Sequence, residues 1–249
     1  MLALLSPAKS LDYDRRQDLP SPTEPRLEER TSALVLRAQG MSVNDIKTKM
    51  SISQNLAELN FDRWQNFYDQ DAQPAIQVFD GDVYTGLDAQ TLTKDEVAFA
   101  QDHLRILSGL YGMLRPMDLM RPYRLEMGTK RFPADHKLSI WWEDAIAQLV
   151  DEDLKGQERS ILNLASQEYY ASVKGRLPED IRVVDVEFIA KDGRFITMHA
   201  KVARGTMARW MIQNGIDKID DMRGYDEDGY EFDAAASDTN HWIFKNTER

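Results

Sequence analysis

Apolar positions fall into short runs and helical stripes that alternate along the chain. Leu2-Ala3-Leu4-Leu5 is a continuous apolar run stopped by Ser6-Pro7, which predicts a short buried strand. The next stretch, residues 12–25, is polar and holds Pro20, Pro22 and Pro25, so a surface loop is expected. A helix follows over residues 26–39, with Gly40 in the C′ position. Two further helices are predicted over residues 43–50 and 54–68, where Val43, Ile46, Met50, Leu56, Leu59, Trp64 and Phe67 recur at helical spacing. Only Ser51-Ile52-Ser53 separates them, which gives the outline of a helix-turn-helix or helix-hairpin-helix near the N-terminus.

Further on, residues 75–79 read as a strand running into the turn Asp80-Gly81-Asp82. Thr93-Lys94-Asp95-Glu96 is a capping box that opens a helix to His103, followed by a strand over residues 104–107. Residues 161–164 form another apolar strand, and Ser166 is placed to cap a helix through Val173. Lys191-Asp192-Gly193 lies between two strand-like runs, 181–190 and 194–201, and predicts a hairpin. A helix over 203–214 follows, stopped by Gly215, and two short strands around Gly229 and Trp242 close the chain. The expected fold is α/β, a single domain spanning residues 1–249, with a mixed β-sheet flanked by helices and a helix-hairpin-helix-like element at about 43–68. There is no repeat, low-complexity linker or domain boundary in the pattern.

Charge changes this picture more than composition does. The net charge is −11, yet residues 103–131 carry six Arg/Lys against two acids, and residues 194–213 carry four against none. Residues 217–238 carry nine acids and two bases. Such segregation predicts a basic surface on an acidic body. The absence of cysteine excludes disulfides and thiolate chemistry and fits a reducing compartment. The first residues have no basic n-region and too short an apolar run for a signal peptide or membrane span, so a cytoplasmic location without membrane contact is expected.

Established chemical motifs are sparse. Neither Gly-x-Gly-x-x-Gly nor the P-loop pattern occurs, and Gly109-Leu110-Tyr111-Gly112 reads as a tight turn or a weak ligand loop. His103, His136, His199 and His241 are scattered without metal-ligand spacing, so neither a metal nor a cofactor is expected. Ser6-Pro7-Ala8-Lys9 matches Ser-x-x-Lys, but its companion motifs are missing. What stands out is Arg105, Tyr111, Arg115, Arg121, Tyr123 and Arg124, in which guanidinium groups alternate with aromatic rings. Arginine pairs with phosphate and tyrosine offers a face for base stacking, although salt bridges to surface carboxylates are the plainer alternative. Lys201, Arg204 and Arg209 add charge on one predicted helix, and Lys47 and Lys49 on another.

Several long runs together resemble one family. Ser6-Pro7-Ala8-Lys9, residues 81–87 (GDVYTGL), residues 103–116, residues 122–128 (PYRLEMG), Asn163-Leu164-Ala165-Ser166 with Glu168-Tyr169, and Lys201 with Ala203-Arg204-Gly205 look like the YaaA family of peroxide-stress resistance proteins. The resemblance implies a cytosolic protein of bacterial oxidative-stress defence that limits damage from hydrogen peroxide and free iron. It also implies a single α/β domain with a positively charged cleft and a helix-hairpin-helix, mapped here onto residues 43–68. The turn Ser51-Ile52-Ser53 lacks the glycines such motifs use for close phosphate approach.

The leading expectation is sequence-independent binding of double-stranded or structured DNA, with Lys9, Lys47, Lys49, Arg105, Arg115, Tyr123, Arg124, Lys201, Arg204 and Arg209 on the contact surface. The alternative is an enzyme acting on a nucleobase, nucleoside or nucleotide. Tyr84, Ser108, Asn163 and Ser166 would line its pocket, and Glu168 would serve as general acid/base. Protein partners are not legible.

Overall fold

A computed structural model describes residues 1–15, 17–132 and 137–248. His136 lies outside the described residues. Seven strands form the central sheet: β1 (Leu2–Leu5), β2 (Leu104–Ser108), β3 (Gly112–Leu114), β4 (Ser160–Asn163), β5 (Arg182–Ile189), β6 (Tyr230–Phe232) and β7 (His241–Asn246). Their order across the sheet is β6-β7-β5-β4-β1-β2-β3. The five middle strands run parallel, and the antiparallel edge strands β6 and β3 close the sheet on either side. This is the expected mixed sheet. The four residues of β1 are wholly buried, because a central parallel strand is covered on both faces and so reads as an unbroken apolar run.

The principal helices are α1 (Glu28–Gln39), α2 (Val43–Met50), α3 (Gln54–Gln65), α4 (Asp82–Leu87), α5 (Lys94–His103), α6 (Ala145–Asp153), α7 (Gln167–Tyr170) and α8 (Thr197–Gln213). Capping boxes start α2 at Ser42, with Asp45, and α5 at Thr93, with Glu96. One buried apolar cluster runs from Met1 to Phe244 and joins helices to sheet. The pair α2–α3 packs as a helical hairpin, and Ser51 takes the left-handed conformation (φ 54°) between them. Serine thus occupies the backbone region that a glycine would favour, at a modest conformational cost.

Most of two predicted strands, residues 75–78 and 197–201, is helical instead. Residues 75–78 form a helical turn whose first amides bond to the Asp118 and Pro116 carbonyls. Residues 194–201 do not complete a hairpin, because α8 begins at Thr197. The tight turn at Gly193 (φ 85°) is present, but it leads into the helix. Close packing explains the outcome. A Cβ on Gly205 would stand 1.8 Å from the Val83 carbonyl oxygen, and one on Gly86 2.1 Å from that of Val202, so α4 and α8 meet backbone to backbone. Ile196 keeps extended geometry as the N-cap of α8, and the close contact with α4 is made by the helical residues beyond it. Gly40 ends α1 in right-handed geometry (φ −77°), not in the left-handed form expected of C′.

Candidate functional site

Because β1, β2 and β4 are parallel and in register, their carboxyl ends lie along one edge of the sheet. Such an edge is where α/β sheets place ligands. Here it carries a knot of hydroxyl groups. The Ser166 amide donates to Ser6 Oγ at 2.8 Å, and Ser6 Oγ donates to Ser166 Oγ at 3.2 Å. The Tyr84 hydroxyl donates to the Ser6 carbonyl at 3.1 Å. Ser108 Oγ and the Tyr123 hydroxyl are 2.6 Å apart, and the Tyr111 amide also donates to Ser108. Burial pushes the Tyr84, Tyr123 and Tyr169 phenols above their ordinary range, so they are neutral hydrogen-bonding groups. Tyr123 and Tyr111 meet edge to face inside the core, which removes both rings from any stacking surface.

Two hollows flank this knot, one on each side of α7. The first is a groove of about 790 Å³ lined by Lys9, Lys49, Arg124, Lys130 and Arg131, together with Asp45, Glu126, Glu168 and the Ser51 turn. Five cations face three carboxylates. Arg124 Nε bonds to Glu126 at 3.0 Å, and Lys9 stands 3.8 Å from the same carboxylate. Lys49 Nζ donates to the Arg131 carbonyl at 2.8 Å, which ties α2 to the segment after β3. Glu168 accepts the Gly128 amide at 2.9 Å, and a Cβ at Gly128 would lie 2.8 Å from that same oxygen. Lys47 is exposed on α2 and donates to Gln54.

The second hollow, about 800 Å³, lies between α7, β5 and the first half of α8. Asn163, Ser166, Tyr170, Lys174, Asp185, Glu187, Phe195, Lys201, Arg204 and His241 contribute to its walls. Asn163 Nδ2 donates to Asp185 Oδ1 at 2.6 Å across the β4–β5 ladder. Lys201 pairs with Asp82 at 3.2 Å, and His241 approaches Glu187 at 3.3 Å. Arg204 is half-buried, and its Nε is shut off from solvent without a hydrogen-bond partner among the described residues. Burial lowers its pKa, and the Glu187 charge offsets this only in part.

The expected contact surface is therefore divided. Lys9, Lys49 and Arg124 share the groove, while Lys201 and Arg204 share the cleft. Arg105 is withdrawn altogether: its side chain is 4% exposed, its Nε bonds to Asp153 at 2.6 Å, and its Nη1 caps the Gln101 and Leu104 carbonyls. Arg26 forks onto the same carboxylate at 2.6 and 2.7 Å. Arg115 clamps the fully buried Asp118 and the Glu24 carbonyl. Arg209 donates to the Leu87 and Asp88 carbonyls at the end of α4 and lines neither hollow. The pocket residues of the enzyme alternative are split as well. Asn163 and Ser166 face the cleft, Glu168 the groove, and Tyr84 and Ser108 the interior. Among the described residues no group of three or more His, Asp or Glu is arranged to hold a metal ion. No helix among them is long and apolar enough to cross a membrane.

Sequence reasoning passed over Lys130 and Arg131 as site residues, and also Lys174, Tyr170, Asp185 and Glu187. Their signal is positional: residues beside the carboxyl ends of parallel strands are candidates once strand order is known.

Fold and site together define a helix-covered α/β protein with two cation-bearing hollows at the carboxyl edge of a mixed sheet. A family model described as Peroxide stress protein YaaA matches residues 1–236. The chain is 44% identical to a UPF0246 protein of Rhizorhabdus wittichii over 252 residues, covering 99% of this chain and all of the relative. It is 43% identical over 256 residues to a UPF0246 protein of Cupriavidus metallidurans, covering 98% of each chain. The chain belongs to the YaaA family of peroxide stress proteins.

Proposed function

We propose that this peroxide stress protein binds DNA through the phosphate backbone, independently of base sequence, in the groove between α2 and the segment at 124–131. The observation that carries the reading is the gathering of Lys9, Lys49, Arg124, Lys130 and Arg131 from three distant parts of a chain whose net charge is −11. Phosphate contacts supply sequence-independent affinity, and a groove richer in cations than carboxylates attracts a polyanion despite an acidic body. The Ser51 turn between α2 and α3 lines the same groove and acts as a helix-hairpin-helix-like rim, with Lys47 beside it. The expected partner is double-stranded or structured DNA, which the protein shields from peroxide and iron damage in the cytoplasm.

The test is fluorescence anisotropy with duplexes of unrelated sequence over a range of salt. With about four to six phosphates engaged, log affinity falls with log salt at a slope of about −4 to −5. The double variant Lys49→Glu/Arg131→Glu is expected to bind at least about tenfold more weakly, with a slope shallower by about 2. A salt-insensitive interaction, or full affinity in the double variant, overturns the reading.

A further inference from the structure

The cleft between α7, β5 and α8 has chemistry that the α2 groove lacks. Its deepest cation, Arg204, stands on a helix that packs backbone to backbone on α4, which fixes the point from which its side chain enters the cleft. It forms no ion pair or hydrogen bond among the described residues, whereas Arg105, Arg115, Arg124 and Arg209 all do. A half-buried guanidinium with an unsatisfied donor is unfavourable unless an anion completes it. Glu187 does not do so, and its carboxylate is shared with His241. Lys201 and the exposed Lys174 stand on the same walls. Phe195, 48% exposed, and Tyr170 line the same cleft. These rings offer a flat apolar surface next to the cations. Asp185 supplies an acceptor and Ser166 a hydroxyl at the strand ends. A volume of about 800 Å³ suits a small molecule.

We infer that this cleft binds a nucleoside monophosphate group. Its phosphomonoester lies on Arg204 and Lys201, its base lies against Phe195 and Tyr170, and Asp185 accepts from the polar edge of the base. A phosphomonoester carries up to two charges at neutral pH and three acceptor oxygens, so it satisfies a forked guanidinium better than a bridging phosphodiester does. The same chemistry is presented by a free mononucleotide and by the 5′-phosphorylated end of a strand. The inference does not depend on the α2 groove.

Isothermal titration of the full chain with dAMP, deoxyadenosine and inorganic phosphate tests it. Binding of dAMP is expected, with deoxyadenosine and inorganic phosphate each at least about tenfold weaker. Arg204→Gln is expected to lower dAMP affinity at least about tenfold. Phe195→Ala, a change at an exposed position, is expected to weaken dAMP but not inorganic phosphate. Arg209→Gln, on the same helix but turned to α4, is expected to bind like the parent. Short duplexes with and without 5′ phosphates identify the source: a preference for the phosphorylated end that Arg204→Gln abolishes points to a strand terminus, and no preference alongside dAMP binding points to the free nucleotide. Absence of dAMP binding, inorganic phosphate binding as tightly as dAMP, or unchanged binding by Arg204→Gln and Phe195→Ala overturns the inference. If duplex affinity survives Arg204→Gln but not Lys49→Glu/Arg131→Glu, the two sites are separate.

Discussion

Arg105 and Arg131 come from the same basic stretch of sequence and end in opposite environments. Arg105 is buried near the start of β2 and shares Asp153 with Arg26, at 4% and 10% side-chain exposure for Arg105 and Asp153. Arg131 stands exposed on the groove across from α2, its carbonyl held by Lys49. The first arginine joins α6 to β2 and, through the shared Asp153, to the turn before α1, and the second contributes charge to a surface. A count of guanidinium groups therefore overstates the field a partner meets. What matters is whether a carboxylate has already been buried with the charge.

The largest expected break in this comparison is Asp153→Ala. It strands two guanidinium groups, one almost fully enclosed, and is expected to lower unfolding free energy by about 3–5 kcal/mol, read by urea denaturation. The groove variant Lys49→Glu/Arg131→Glu is expected to stay within about 0.5 kcal/mol of the parent in the same assay. If the two losses were equal, the distinction between structural and surface cations would fail.

The pH dependence sharpens it next. Burial alone would raise the Asp153 carboxyl, but the hydrogen bonds and charges of Arg26 and Arg105 outweigh burial and hold it below the ordinary aspartate range. A carboxyl lowered on folding contributes stability that is complete above the unfolded value of about 3.9 and is lost as pH falls through the folded one. Thermal unfolding should therefore become steeply acid-sensitive below about pH 4, and Asp153→Asn should flatten that limb.

The smallest effect concerns the frame of the groove. Ser42 Oγ accepts the Asp45 amide at 3.2 Å and Asp45 returns a bond to the Ser42 amide at 3.0 Å. Ser42→Ala should cost about 1 kcal/mol and raise amide exchange in α2, weakening DNA binding less than removal of Lys49 does.

The uneven legibility of the chain follows from the same physics. Leu2–Leu5 was readable because a strand buried on both faces leaves no polar position. The boxes at Ser42 and Thr93 were readable because their bonds span three residues. Residues 197–201 misled, since the helix they open is packed through Gly205 against Val83, more than a hundred residues away. The site divided in the same way. Lys9, Lys49 and Arg124 could be named as cations, but Arg105 could not be excluded until Asp153 was placed beside it. Lys174 and Asp185 had no local signal at all.

By itself the sequence determined the α/β class, the family, most element positions and the presence of excess local positive charge, because each depends on nearby residues or on long matching runs. Tertiary structure alone decided which cations face solvent. It also separated groove from cleft and left Arg204 without a partner among the described residues. Burial and pairing of a charge depend on carboxylates and backbone that reach it from remote segments, and no window of sequence contains both partners.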